Sequence, residues 1–145
     1  MDMVMEPIGQ VRNDVRRPMR EGWEDVVSEI ILRAGLEGTT EGLGLFSHII
    51  VLFWMHGVTR GDAMSARVHP KGRHDLPLVG LFATRSPERP NPIGLSVVRL
   101  LDCQGNTLRV KGLDAIDGTP VVDIKPYMPR DLVVGATSPE WVSRL

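Results

Sequence analysis

The stretch IGLSVVRLLDCQGNTLRVKGL, residues 93–113, decides the fold class because it contains two apolar runs around a Gly-Asn turn. The first run, residues 93–101, is aliphatic and β-branched, and DCQGN then turns the chain. In the returning run Leu108 and Val110 face one way, and the charged residues that alternate with them face the other. Two such runs around a glycine-containing turn predict an antiparallel β-hairpin.

Shorter strand signals lie on both sides of this hairpin. SHIIVLFWMH, residues 47–56, is apolar almost throughout and predicts a central strand covered on both faces. Residues 4–11 predict a first strand, and VVDIKPY, residues 121–127, predicts a late one with Val122 and Ile124 on one face. Asp123 and Lys125 then share the opposite face of that strand.

The remaining segments are ambiguous or irregular. Residues 25–33 leave two interpretations open, because their apolar residues fit one face of a helix while their β-branched content suits a strand. Residues 35–44 predict a glycine-punctuated connection with room for one helical turn, and residues 65–79 a polar loop with a short strand. Residues 128–145 read as an irregular tail that Trp141 pins down. Many short strands at this spacing predict a mainly-β, single-domain barrel spanning residues 1–145, with few short helices.

Length and composition are those of an ordinary globular domain. The chain has 145 residues, 42% hydrophobic and 24% charged, enough for one core. Cys103 is the only cysteine, which favours a reducing compartment. No signal-peptide pattern opens the sequence, and the longest apolar run, residues 49–55, is far too short to span a membrane. We therefore expect a cytoplasmic protein with no membrane partner.

Charge argues against a strong, non-specific nucleic-acid surface. The net charge is −1 and the pI is about 6.4, whereas such surfaces usually make a domain basic. Local basic patches are still present, and the simplest interpretation of each is a solvated surface. The basic residues of the two clusters are Arg16, Arg17 and Arg20, and then Arg67, Lys71, Arg73, Arg85 and Arg89.

A proline-rich segment, FATRSPERPNPIGLS, residues 82–96, displays two arginines on a stiff backbone. Its three prolines fix φ and push the residue before each towards an extended conformation. Guanidinium groups suit carboxylates and phosphates, and a preorganised loop lowers the cost of ordering on binding. Arg85 and Arg89 are therefore candidate ligand contacts. The alternative, a corner in which they pair with neighbouring carboxylates, stays open.

Several familiar sites are absent from the sequence. Neither the GxGxxG nor the GxxxxGK[ST] spacing occurs, so no phosphate-cradling loop is predicted. His69 and His74 lie in a loop without the cysteine or carboxylate spacing of a zinc site, which predicts no metal centre. Nothing near Cys103 suggests an activated nucleophile.

Three motifs together resemble the TrmO-like (TsaA-like) family. They are FSHIIVLFWMH at residues 46–56, FATRSPERPNPIGLSVV at residues 82–98 and LDAIDGTPVVDIKPY at residues 113–127, and the likeness extends from Pro7 to Tyr127. The resemblance implies a β-barrel methyltransferase unrelated to Rossmann-like enzymes. It implies S-adenosylmethionine as cofactor, tRNA as partner and N6 of threonylcarbamoyladenosine at position 37 as the methyl acceptor. It also implies a homodimer with the cofactor site close to the dimer interface.

The family motifs assign cofactor contacts to particular positions of this chain. Where the family loop reads roughly PRQ, this chain has PMR, so the loop departs from the pattern. His56 has the alternative of a hydrogen-bonded core histidine, and AIDGTP, residues 115–120, that of a simple turn. The resemblance implies cofactor contacts at Pro18, Met19, Arg20, His56, Gly57, Arg85, Leu95, Asp117, Gly118, Thr119 and Pro120.

Four further residues are candidates for catalysis and substrate contact. Asp123 is a candidate acceptor of the N6 proton and Lys125 its electrostatic partner, with a surface ion pair as the alternative. Arg89 and Asn91 are candidate contacts for the RNA substrate. Because several family members use an additional C-terminal domain for tRNA, we expect the RNA surface here to come from the barrel or a partner subunit.

Two other functions stay open. The cofactor motifs do not encode the acceptor, so a methyltransferase acting on a small molecule or another RNA position fits them too. A non-catalytic RNA-binding barrel is the third possibility. With three Phe, three Trp and one Tyr, the chain is poor in the aromatic residues that such a stacking platform uses.

Overall fold

Six strands of the protein close into an antiparallel barrel. The computed structural model describes residues 1–58 and 64–145. The strands run in the order β1-β2-β7-β6-β3-β8 around the barrel, and β4 and β5 form a separate two-stranded sheet. Their bounds are β1 Gly9–Arg12, β2 Val27–Leu32, β3 His48–Trp54, β4 Arg67–Val68, β5 Val79–Gly80, β6 Ile93–Gln104, β7 Thr107–Lys111 and β8 Pro120–Pro126.

The predicted hairpin is present, but its first strand is longer than expected. β6 continues to Gln104, so the turn contains only Gly105 and Asn106 rather than the five residues DCQGN. Glycine suits this turn because φ of Gly105 is +59°. A bulge at Leu101 shifts the register between Leu100 and Asp102, which lets the residues after the bulge continue the pairing with β7.

The central strand β3 is buried on one face only. Ile49, Val51 and Phe53 point into the barrel and are almost fully buried, whereas the residues between them are half-buried on the outside. The expectation of cover on both faces was therefore wrong for the single chain. The strand is central because it pairs with both β6 and β8, and one face of an antiparallel barrel packs on the core while the other points outward.

The ambiguous segment is a strand. In β2, Ser28, Ile30 and Leu32 face the interior, so the β-branched content outweighs the helical spacing. The first strand is shorter than predicted, because pairing begins only at Gly9 and residues 1–7 are exposed. Gly9 is required there, since a Cβ would lie 2.4 Å from the carbonyl oxygen of Ile31.

The last strand carries a second bulge. Leu52 pairs with Asp123 and Phe53 pairs with Val121, which leaves Val122 as the extra residue. Val121 is fully buried at this bulge, whereas Val122 is half-buried. Beyond the bulge Ile124 packs against the core, and Asp123 and Lys125 lie close together as their predicted common face requires.

Short 3-10 helices occupy several connections. Residues 35–44 form turns that lead into a 3-10 helix at Leu43–Leu45, and the polar loop of residues 65–79 contains β4. The tail after β8 is irregular apart from 3-10 helices at Pro129–Asp131 and Glu140–Arg144. Among residues 1–58 and 64–145, no helix is long and apolar enough to span a membrane. The predicted mainly-β barrel is confirmed.

Candidate functional site

The predicted site segments converge on one end of the barrel. β3 ends there and β6 begins there, with Trp54 paired to Ile93, and β8 begins beside them. The backbone N–H of Met55 donates to the carbonyl of Pro92 at 2.8 Å, which ties the end of β3 to the proline-rich segment. Segments that are far apart in the sequence therefore meet at this end.

The turn after residue 116 is fastened to the loop that follows β1. The N–H groups of Asp117 and Gly118 donate to the carbonyls of Val15 and Val11, each at 2.7 Å. In return, the N–H of Asn13 donates to Oδ1 of Asp117 at 3.0 Å. Gly118 has φ of +82°, a left-handed conformation that glycine adopts without a steric cost. The Asp-Gly turn is thus a rigid part of the site.

Asn13 organises this junction, and the sequence analysis missed it. Its Nδ2 donates to Oγ of buried Ser28 and to the carbonyl of Ala115, both at 2.9 Å. Its Oδ1 accepts the N–H of Val15 at 2.9 Å. The only available sequence signal was an asparagine directly after a strand, a position where its side chain commonly bonds nearby backbone.

The predicted N-terminal cofactor residues lie in the loop beyond this junction. Pro18, Met19 and Arg20 are all exposed. The carbonyl of Met19 accepts a hydrogen bond from Nε1 of Trp23 at 3.0 Å, which anchors the loop at its far end. At the near end of the loop, Nη1 of Arg16 lies 4.0 Å from Oδ2 of Asp117 in the Asp-Gly turn.

His56 and Gly57 lie beside that turn. Both are exposed, so the alternative of His56 as a core histidine was wrong. A Cβ at Gly57 would lie 3.9 Å from Cδ1 of Ile116, which places the two segments side by side. Thr119 differs from the other predicted residues. It is buried, and its Oγ1 donates to the carbonyl of Ile116 at 2.7 Å, so its side chain supports the turn from inside.

The two arginines of the proline-rich segment have different surroundings. Nη1 of Arg89 donates to the carbonyls of Thr84 and Ser86 at 3.0 and 2.9 Å, so this side chain braces its own loop. Arg85 is exposed and has no hydrogen-bond or ion-pair partner among the described residues. Asn91 is exposed, and its carbonyl accepts the N–H of Ile93 at 2.7 Å. Arg85 is thus the guanidinium available to a ligand.

Leu95 lies on the outside of the barrel, away from the turn. Its side chain is 54% exposed, beside exposed Ile93 and Val97 on β6 and opposite Leu52 on β3. Together with the outward residues of β3 these side chains form an apolar face, which we define as Ile50, Leu52, Trp54, Ile93, Leu95 and Val97.

Asp123 and Lys125 form an ion pair on the same outer wall. Nζ of Lys125 lies 2.8 Å from Oδ2 of Asp123, and both side chains are substantially exposed. They are paired with Leu52 and Ile50 across β3 and β8, so they border the apolar face. This geometry matches the alternative interpretation of the two residues, a surface ion pair. A catalytic role for either residue stays a prediction.

A cleft of about 900 Å³ opens next to Arg85. It is lined by residues 68–72 and 74, residues 82–88, Asp114 and three residues of the tail, which are Trp141, Val142 and Leu145. Trp141 is half-buried, and the hydrogen bond that joins the tail to this loop runs from Nη1 of Arg73 to the carbonyl of Arg144. Asp114 is exposed along this cleft, and desolvation by the surrounding protein still raises the pKa of its carboxyl above the ordinary value.

Asp114 was not singled out from the sequence, although it lies inside a quoted motif. Its neighbours Leu113 and Ala115 are buried, so an acidic residue between them was the available signal. In the described part of the chain, no group of three or more His, Cys, Asp or Glu side chains converges as metal ligands would.

Comparisons with known proteins agree with this architecture. Residues 12–131 match the family described as tRNA-methyltransferase O N-terminal domain. A probable S-adenosyl-L-methionine-binding protein of Methanothermobacter thermautotrophicus is 44% identical over 131 residues, which cover 88% of this chain and 91% of the relative. A tRNA (adenine(37)-N6)-methyltransferase of Eikenella corrodens is 48% identical over 87 residues, covering 58% of this chain and 49% of the relative.

A solved structure has the same fold. The crystal structure of TrmO from Pseudomonas aeruginosa aligns with a TM-score of 0.75 and 32% identity, over 94% of this chain and 62% of that one. This chain therefore spans less than two thirds of that protein. The match across the barrel and the site motifs leads to one conclusion: the chain belongs to the tRNA-methyltransferase O N-terminal domain family.

Proposed function

We propose that the protein transfers a methyl group from S-adenosylmethionine to N6 of adenosine 37 in tRNA that already carries the threonylcarbamoyl group. The observation that carries this proposal is the family match over residues 12–131, together with the Eikenella relative that is named a tRNA (adenine(37)-N6)-methyltransferase. The requirement for the threonylcarbamoyl group rests on the family resemblance.

The exposed residues at the barrel end fit the cofactor. The guanidinium of Arg85, which has no partner among the described residues, suits the carboxylate of the methionine portion, because a planar fork of donors can bind a carboxylate through two bonds. The half-buried carboxylate of Asp117, exposed Gly118 and the exposed His56–Gly57 pair offer polar groups and backbone at the same end of the barrel. The bound cofactor supplies a methyl group that is already activated as a sulfonium.

The protein's main catalytic task is then positioning. Holding N6 in line with the methyl carbon and sulfur can account for about 7–11 kcal/mol of the barrier. Rigidity of the site segments serves this purpose. The Asp-Gly turn is fastened by Asn13 and the Arg85 loop is braced by Arg89. The acceptor nitrogen must also lose its proton, so a basic group must lie near the methyl position.

A homodimer would cover the apolar face. Ile93, Leu95 and Val97 are 38%, 54% and 47% exposed, and contiguous exposed apolar side chains of this kind mark interaction surfaces. Leu95, a predicted cofactor contact, lies on this face, which supports a second copy of the chain as its partner. The cofactor site would then lie beside the dimer interface, as the family resemblance implies.

Positive residues flank the site on two sides and would contact the tRNA backbone. Arg16, whose side chain is largely exposed, lies 4.0 Å from Asp117, and Arg17 and Arg20 follow it. Lys71 and Arg85 line the cleft. With few such contacts, we expect methylation to fall with added salt, but less steeply than for a highly basic binder. A tRNA substrate also favours the cytoplasmic location predicted from the sequence.

The decisive experiment supplies two tRNA substrates that differ only at position 37. Protein and S-adenosylmethionine are incubated with tRNA bearing threonylcarbamoyladenosine or with the same tRNA bearing adenosine, and nucleosides are identified by mass spectrometry. We expect the N6-methylated product from the first substrate only.

Other outcomes would redirect the proposal. Equal methylation of both tRNAs would remove the threonylcarbamoyl requirement, and methylation at another nucleoside would overturn the assigned position. Cofactor binding without transfer to either tRNA would instead favour a small-molecule acceptor or a non-catalytic barrel.

A further inference from the structure

The cleft next to Arg85 has the size and lining of a ligand site. Its volume of about 900 Å³ lies within the range of small-molecule pockets. The proline-rich segment and the Pro70–Gly72 loop both line it. The tail contributes Trp141, an aromatic surface of the kind on which a nucleobase stacks. The cleft is therefore wide enough for a modified nucleoside and shares Arg85 with the predicted cofactor site.

Asp114 presents an unsatisfied carboxylate to this cleft. Asp114 is itself exposed, and its buried neighbours Leu113 and Ala115 hold the backbone on either side of it. The carboxyl has no hydrogen-bond or ion-pair partner among the described residues, although Lys71 acts on it electrostatically. Asp123, by contrast, is paired with Lys125 at 2.8 Å on the outer wall. A free carboxylate in a cleft is the better placed of the two to accept a proton.

The Pro70–Gly72 loop contains Lys71, which is the one non-glycine residue with a left-handed backbone in the described part of the chain. Lys71 has φ of +54° and ψ of +22°, and Gly72 after it has φ of +66°. A left-handed lysine costs roughly 1–2 kcal/mol, and such conformations concentrate at functional sites. Lys71 and Asp114 line the same cleft, so Lys71 would supply a cation for the carboxylate of the threonylcarbamoyl group on the base.

We propose that the cleft binds the acceptor nucleoside and that the Asp114 carboxylate accepts the proton from its N6. This inference rests on the proposed methyltransferase function and adds the acceptor site and the base to it. As the N6 lone pair bonds to the methyl carbon, the carbon–sulfur bond breaks and its electron pair remains on sulfur. The sulfonium thereby becomes a neutral thioether, and the N6 proton passes to Asp114.

The electrostatics of the cleft support this role. Partial burial raises the pKa of Asp114, with Lys71 opposing the shift, and a raised pKa makes the carboxylate a stronger base. The charged or titratable groups that also line the cleft are His69, Lys71, His74, Arg85 and Glu88. A pH profile of the parent alone would mix their contributions, so the comparison must be made with a variant that differs only at Asp114.

The test measures three aspartate variants under single-turnover conditions with threonylcarbamoyl-tRNA. Asp114→Asn should lower the methylation rate by about 10²-fold or more, while cofactor affinity by calorimetry stays within about twofold of the parent. The parent rate should rise with pH through the acidic range and level off, and Asp114→Asn should lose that dependence. Asp102→Asn, a matched change on β6 outside the cleft, should keep both the rate and the profile.

The outcomes separate this inference from the proposed function. A parent that does not methylate threonylcarbamoyl-tRNA refutes the proposed function and, with it, this acceptor site. An active parent with an Asp114→Asn rate within about threefold overturns the inference alone. A loss of methylation that occurs in Asp123→Asn and not in Asp114→Asn also overturns the inference. Trp141→Ala gives an independent check, because loss of base stacking should raise KM for tRNA more than it lowers kcat.

Discussion

Arg89 fixes the backbone on both sides of Arg85. Its Nη1 donates to the carbonyl of Thr84 at 3.0 Å and to that of Ser86 at 2.9 Å, and its guanidinium lies 5.8 Å from the ring centroid of Phe82. Arg89 thus serves as a brace, while Arg85 is exposed and has no partner in the described part of the chain. The stiffness predicted from three prolines is supplemented by hydrogen bonds that the sequence did not indicate.

The first prediction concerns Arg85 and the cofactor. Arg85→Ala and Arg85→Lys should each weaken S-adenosylmethionine binding by at least about tenfold, because a charged hydrogen bond contributes roughly 1.5–3 kcal/mol. Lysine keeps the charge but lacks the planar fork. Calorimetric titration of folded variants measures the effect, and parent-like affinity in Arg85→Ala would show that the loop serves another purpose.

Arg89→Ala is the matched variant in the same loop. This variant loses the hydrogen bonds that brace the loop but keeps the Arg85 side chain, so its effect on cofactor affinity should be smaller than that of Arg85→Ala. The same titrations decide the order of the two variants. A larger loss in Arg89→Ala would mean that loop order, rather than the Arg85 contact, determines binding.

The elements that were predicted correctly depend on local pattern. Alternation identifies the hairpin, and the Asp-Gly pair at residues 117–118 identifies a turn, because both follow from interactions between sequence neighbours. The bulges at Leu101 and Val122 were not predicted, since a bulge is defined by the register of a partner strand. For the same reason the sequence did not reveal that Val121, at the second bulge, is fully buried.

The parts of the site that were missed depend on distant contacts. Asn13 bonds to Asp117, which is 104 residues away, and no local pattern reports such a pairing. Asp114 stands out only in the folded chain, where it lines the same cleft as the Pro70–Gly72 loop and the tail. Motif resemblance identified the segments of the site, but not the side chains that join them.

The second prediction concerns the junction at Asn13. Asn13→Ala should lower the free energy of unfolding by about 1–3 kcal/mol, because it removes several hydrogen bonds and leaves the hydroxyl of buried Ser28 without its amide donor. Urea denaturation measures the change. Asp14→Ala, at the exposed neighbouring position, is the control and should stay close to the parent.

The third prediction concerns a close contact in the barrel core. A Cβ at Gly94 would lie 2.3 Å from Cε2 of Phe53, whose ring is buried, so Gly94→Ala should destabilise by about 1–3 kcal/mol. Gly80→Ala adds the same methyl group where nothing lies within 4 Å. Thermal unfolding should separate the two variants, and equal melting temperatures would mean that the Phe53 ring moves aside freely.

The fourth prediction concerns the apolar face. Val97→Glu places a charge on this face opposite Ile50 and should shift the proposed dimer to monomer in size-exclusion chromatography with light scattering. Val27→Glu introduces the same charge at a valine that is 40% exposed on β2 and pairs with Lys111, outside this face. It should remain dimeric. A parent that is monomeric at all concentrations would remove the dimer from the proposed function.

The fifth prediction follows from the raised pKa of Asp114. In the folded state the charged carboxylate is disfavoured by partial burial, so the parent is less stable at pH values above the raised pKa than it would be with a neutral group. As pH falls through the folded pKa towards the ordinary value, the carboxyl takes up its proton and this destabilisation disappears. Asp114→Asn should therefore melt slightly above the parent near neutral pH, because solvent at this exposed side chain screens part of the effect, and at the same temperature once the pH lies below the ordinary aspartate pKa. Melting curves of both proteins across that range test the sign of this stability difference.

A variant that is less stable than the parent at neutral pH would show that Asp114 makes a stabilising contact. A gain in stability coupled to a loss of methylation is the pattern expected when a residue is retained for chemistry rather than for the fold.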